Sequence, residues 1–133
     1  LFVGLNPSTA DATLDDPTIR RCIGFSRAWG YDWFYMGNLN GWRSTDPKQL
    51  PADPLTAVGP HNQQWLTQMT QAADLVVCAW GQNKLNSYAA SLAQRLLLLP
   101  HARVFGLNQD GTPKHPLYLP KKSALVAAPT PKE

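Results

Sequence analysis

Four short apolar runs, separated by stretches whose apolar residues recur every three or four positions, constrain this chain more than any other feature. The runs are Leu1-Phe2-Val3-Gly4-Leu5, Trp33-Phe34-Tyr35-Met36-Gly37, Asp74-Leu75-Val76-Val77-Cys78-Ala79-Trp80 and Arg103-Val104-Phe105-Gly106-Leu107. Each is too short for a buried helix and has Gly, Asn or Pro close by, which is the pattern of a buried strand. After the first run, Asp16-Pro17 predicts a helix start, because Asp accepts from unpaired N–H groups and Pro is tolerated in the first turn. Ile19, Cys22, Ile23 and Trp29 follow at helical spacing, with Gly30 as the stop. A second helix is expected from about Pro60, with Trp65, Leu66, Met69 and Ala73 on one face. A third carries Leu85, Tyr88, Ala89, Leu92, Leu96 and Leu99 in register.

Strand and helix therefore alternate, β-α-β-α-β-α-β. The pattern predicts a three-layer α/β/α fold on a four-stranded, mainly parallel sheet, with helices on both faces. A chain of 133 residues suits a single core. We read residues 1–120 as one α/β domain and 121–133 as an extended or frayed tail. The chain starts at Leu1, without an initiator Met and already inside a strand, so an upstream segment is expected to be missing.

Composition narrows the function classes. The apolar fraction of 44% and charged fraction of 16% are those of a globular protein. No stretch is long and apolar enough for a membrane span, and no charged-then-apolar leader is present. Two cysteines, Cys22 and Cys78, have no metal-ligand spacing and make no disulfide framework, so two reduced, buried thiols and a cytoplasmic location are expected. A metal site is not expected, because no two of the three histidines have ligand spacing. No cofactor motif is present: the first loop lacks the Lys of a phosphate-cradling loop, and G-x-G-x-x-G, G-x-S-x-G and C-x-x-C are all missing. The net charge of +3 is compatible with a nucleic-acid partner without requiring one. Arg20, Arg21 and Arg27 form one candidate basic cluster, and Lys114, Lys121 and Lys122 another.

In an open parallel sheet, ligands bind outside the carboxyl ends of the strands, and the unusual polar residues concentrate there. Asn6, Ser8, Thr9 and Asp11 follow the first run, and Asn38, Asn40, Trp42 and Arg43 the second. Trp80 ends the third and Asn83 comes just after it, while His115 and Tyr118 follow the fourth. The opposite rim has no comparable set. Individually, many of these have structural explanations: Asn6-Pro7 ends a strand, Trp42 and Trp80 suit a core, and Asp15 and Asp16 suit a helix cap. His115 stands between Pro113 and Pro116, and rigid flanks are what a catalytic donor needs.

Several strings taken together carry a resemblance. Gly4 to Asp11 (GLNPSTAD), Asp15 to Cys22 (DDPTIRRC), Trp29 to Tyr31 (WGY), Asn38-Leu39, Arg43 to Pro47 (RSTDP), Ala79 to Gly81 (AWG) and Gly111 to Pro120 (GTPKHPLYLP) resemble the bacterial and phage family called domain of unknown function sixteen-forty-three. That family carries no established activity. A more distant likeness is to the uracil-DNA glycosylase superfamily. Gly4-Leu5-Asn6-Pro7 is similar to its G-x-N-P motif after the first strand, Trp80-Gly81 to its later Trp-Gly, and His115-Pro116 to its closing His-Pro.

The resemblance implies a uracil-DNA-glycosylase-like fold and a mechanism. Asn6 would position the attacking water, and His115 would donate to the anionic oxygen developing on the departing base. Asn38 or Asn83 would read a base edge, and Trp42 or Tyr118 would stack on the base. The chain departs from the superfamily motif at Ser8, where Gly is usual, and at Leu117 and Tyr118, where Ser and Pro are usual. Three readings of function follow. The first is a glycosylase-like domain acting on a nucleobase N-glycosidic bond in nucleic acid or a nucleotide. The second is a non-catalytic nucleotide or nucleic-acid binding domain, and the third a phage or mobile-element accessory protein acting through protein contacts.

Overall fold

The computed structural model describes residues 1–5, 17–40, 60–117 and 119–128. In chain order the elements are β1 (Phe2–Gly4), α1 (Pro17–Ala28), β2 (Met36–Asn38), α2 (Pro60–Ala72), β3 (Val76–Cys78), α3 (Ser87–Leu97), β4 (Ala102–Val104) and β5 (Val126–Ala127). The alternation read from the sequence is thus present, and the sheet order is β2-β1-β3-β4-β5. β1 pairs in parallel with both β2 and β3, and β3 in parallel with β4. β5 runs antiparallel to β4. The sheet is therefore mixed and five-stranded, not the expected four-stranded sheet. The segment expected to be an extended or frayed tail supplies its edge, with Arg103 opposite Ala127 and Val104 opposite Val126.

Alternate strand residues point to opposite faces, which divides the core in two. Val3, Val76, Cys78 and Val104 pack on one side with Leu66 of α2 and with Ala89, Leu92, Ala93 and Leu96 of α3. Phe2, Val77 and Ala79 pack on the other with Cys22 and Phe25 of α1 and with Phe105. This second side is aromatic: Phe25 lies 4.7 Å from Phe105 and 5.4 Å from Trp29, ring centre to ring centre. Among the described residues the sheet is covered on both faces, by α1 on one side and by α2 and α3 on the other.

The helix ends follow local chemistry. α1 closes where Tyr31 N donates to Ser26 O and Gly30 N to Arg27 O, the paired bonds that satisfy the last carbonyls of a helix. The Asn86 side chain caps α3 by accepting from Ala89 N at 2.8 Å. Two details differ from the sequence expectation. β2 is shifted toward Asn38, and Trp33 is exposed, stacked edge-on against Tyr35. Tyr88 is 45% exposed, whereas Ala93 takes a core position. In both cases an amphipathic aromatic satisfies a periodic pattern without being drawn inside.

Cys22 and Cys78 are buried thiols outside any disulfide. Burial pushes the Cys78 thiol up to about 12. The unfolded chain ionises this thiol near pH 9 while the folded chain keeps its proton, so the unfolded state binds fewer protons and stability falls as pH rises above about 9. A full proton difference corresponds to about 1.4 kcal/mol per pH unit. Chemical denaturation between pH 8 and 10.5 should show a smaller loss for Cys78→Ala than for the parent. Equal losses would contradict a buried, neutral thiol.

Among the described residues no helix is long and apolar enough to cross a membrane, and no group of three or more His, Cys, Asp or Glu is placed to hold a metal ion.

Candidate functional site

β1 lies between β2 and β3, and the chain leaves β1 and β3 toward helices on opposite faces of the sheet. The position outside the carboxyl ends of two such diverging strands, here β1 and β3, is where open α/β sheets bind ligands.

Three chain segments are tied together at this rim. At the β1–β2 side, Leu39 N donates to Gly4 O and Asn40 N to Leu5 O, both at 2.9 Å. Pairing thus continues beyond the strands and carries Leu5, the residue before Asn6, to the rim. The Asn38 side chain reaches over β1, since a Cβ built on Gly4 would lie 2.9 Å from Asn38 Oδ1. α2 buttresses this edge through Asn62, whose Nδ2 donates to Asn38 O at 2.9 Å and to Leu39 O at 3.4 Å.

At the end of β3 the chain turns at Gly81, with φ of 77°. Asn83 Nδ2 donates back to Trp80 O at 2.9 Å and closes the turn. His115 packs directly on that glycine, because a Cβ there would lie 3.3 Å from His115 Cβ and 3.6 Å from Asn83 Nδ2. A side chain at position 81 would therefore meet both strain and the imidazole's own stem.

His115 reaches β3 by way of a tight return after β4. Leu107 and Pro113 form an antiparallel bridge, and Lys114 N donates to Gly106 O at 3.0 Å. The tip is closed by Asn108 N donating to Thr112 O at 2.8 Å and by Asn108 Nδ2 donating to Thr112 Oγ1 at 3.0 Å. The Asp110 carboxylate accepts from both Thr112 Oγ1 and Thr112 N. The Thr112 hydroxyl, then the Thr112 N–H, hold Asp110 below the usual carboxylate range. At the base of the return, Leu117 N donates to His115 Nδ1 at 3.2 Å. In the neutral ring this bond leaves the proton on Nε2, which makes the outer nitrogen the donor.

Of the residues singled out in the sequence, Asn83 and His115 meet at Gly81 after β3, and Asn38 lies at the end of β2 against Gly4 of β1. Asn40 belongs to the same edge but is buried. Trp80 is 2% exposed and packs in the larger core cluster, so it is a core residue and not a stacking face at the surface. Asn6, Ser8, Thr9, Asp11, Trp42, Arg43 and Tyr118 lie outside the described residues. Sequence reasoning missed Asn62, whose signal was an amide in the first turn of α2 facing a loop rich in amides.

No curated protein and no solved structure matched the chain. The family described as "Protein of unknown function (DUF1643)" matches residues 1–117, a span that holds β1 to β4, α1, α2, α3 and the return carrying His115. The chain belongs to that family.

Proposed function

We propose that the rim at the ends of β1 and β3 hydrolyses a nucleobase N-glycosidic bond, in nucleic acid or in a nucleotide. Asn6 holds the water that attacks the sugar carbon. The bond to the base nitrogen breaks, its electron pair leaves with the base, and the water proton is passed to solvent. His115 donates from Nε2 to the base oxygen on which the charge collects. Asn38 and Asn83 read the base edge. The single observation that carries this reading is His115 seated on Gly81, beside the strand that runs on into Asn6, with Nδ1 already occupied as an acceptor. A positioned neutral donor of this kind is worth about a hundred- to thousand-fold in rate.

The test uses the purified protein with uracil-, hypoxanthine- and thymine-mismatch-containing oligonucleotides and the matching free nucleotides, reading released base. Release is expected, and His115→Ala and Asn6→Ala should each reduce it by about a hundred-fold or more. Binding that falls steeply with salt, without any release, would replace catalysis by a nucleic-acid binding role. Neither release nor binding would leave contacts with another protein as the function.

A further inference from the structure

On the outer side of α1 lies a cleft of about 660 Å³ that none of the rim residues lines. Its walls come from α1 and from the segment that follows His115-Pro116, two parts of the chain far apart in sequence. Arg20 and Arg21 line it from α1, Lys121 lines it from the other wall, and no acidic side chain is among its described lining residues. Arg20 and Arg21 of one basic cluster and Lys121 of the other thus line the same cavity. Its volume is within the range of about 300–1,000 Å³ usual for small-molecule sites.

Two local features lack an internal explanation. The Arg21 guanidinium lies over the Phe25 ring, 5.4 Å from its centre, yet its buried Nε has no hydrogen-bond partner among the described residues. A charged donor left this way is costly unless an acceptor arrives. In the middle of α1, Gly24 faces the cleft although a Cβ there would meet nothing within 4 Å. Glycine weakens a helix interior, and packing does not require it here. It leaves bare backbone on the cleft floor, beside Leu117 and Phe25.

We propose that this cleft binds an organic phosphate of about mononucleotide size, with the phosphate held by Arg20, Arg21 and Lys121 and the apolar body lying over Gly24 and Leu117. Arginine matches phosphate oxygens with paired donors, and lysine adds a point charge. The phosphate belongs either to a free small molecule or to the end of a nucleic-acid strand. The inference stands apart from the reaction proposed at the rim, because its readout is binding and not base release.

Calorimetric titration would compare inorganic phosphate, a nucleoside, the corresponding nucleoside 5′-monophosphate and a short single-stranded oligonucleotide carrying a 5′-phosphate. The monophosphate is expected to bind at least tenfold more tightly than either the nucleoside or inorganic phosphate. Arg21→Gln and Lys121→Gln should each weaken it about tenfold, and Gly24→Leu should abolish it by filling the floor. Gly24→Leu should melt no lower than the parent, since the site has room and leucine favours a helix. Should that variant fold poorly, the exposed Lys121→Gln supplies the decision. An oligonucleotide that binds more tightly than the monophosphate, and is lost in the same variants, identifies a strand end as the source. Equal binding of nucleoside and monophosphate, or undiminished binding by Lys121→Gln and a folded Gly24→Leu, would overturn the proposal.

Discussion

Leu66→Ala should lower the free energy of unfolding by about 2–5 kcal/mol, the largest loss expected from a single substitution in this chain. Leu66 is fully buried in the larger core cluster, and it sits directly on β2. A Cβ built on Gly37 would lie 2.6 Å from Leu66 Cδ2 and 3.0 Å from Trp65 Cζ3. The helix side chain thus fills the space that a glycine opens in the strand. Gly37→Ala alone should cost about 1–3 kcal/mol through overpacking. Together the two substitutions should cost less than their sum, because the truncated leucine makes room for the new methyl. Urea denaturation of the four proteins in this cycle gives the answer, and simple additivity would contradict the contact.

The second large effect is expected at the rim. Gly81→Val should reduce base release by about a hundred-fold or more, comparable to removing a preorganised donor, while leaving the domain folded. Position 81 has φ of 77°, and its Cβ would press on His115 Cβ at 3.3 Å. Backbone strain alone costs about 1–2 kcal/mol and is not the point of the experiment. Gly111→Val separates the two effects: its φ is 85°, but a Cβ there meets nothing within 4 Å. Both variants should lose comparable stability, yet only Gly81→Val should lose activity and shift the His115 ring resonances in NMR spectra. If the His115 resonances stay in place in Gly81→Val, the imidazole does not rest on this turn.

The rim illustrates how little of a site is local. Asn83 and Asn38 were legible as amides following strands, and both are placed at strand ends. Trp80 carries the same kind of sequence signal and turns inward, because an apolar ring at the end of a fully buried strand gains more from the core than from the rim. Asn62 was invisible as a rim residue, since its helix only meets β2 once the sheet is assembled.

Local periodicity in the amino-acid sequence was enough to determine the alternation of strands and helices, the burial of Leu66 in α2 and of Ala89, Leu92 and Leu96 in α3, and the stop of α1 at Gly30. These features depend on residues a few positions apart, so each stretch of chain carries them by itself. Tertiary structure alone decided that β1 lies between β2 and β3, that two residues near the end of the chain become an edge strand, and that His115 lies on Gly81. It also decided that Arg20 and Arg21 share a cleft with Lys121. The reason is that burial and pairing between distant segments set these neighbours. That free energy belongs to the assembled sheet and is encoded in no single stretch of sequence.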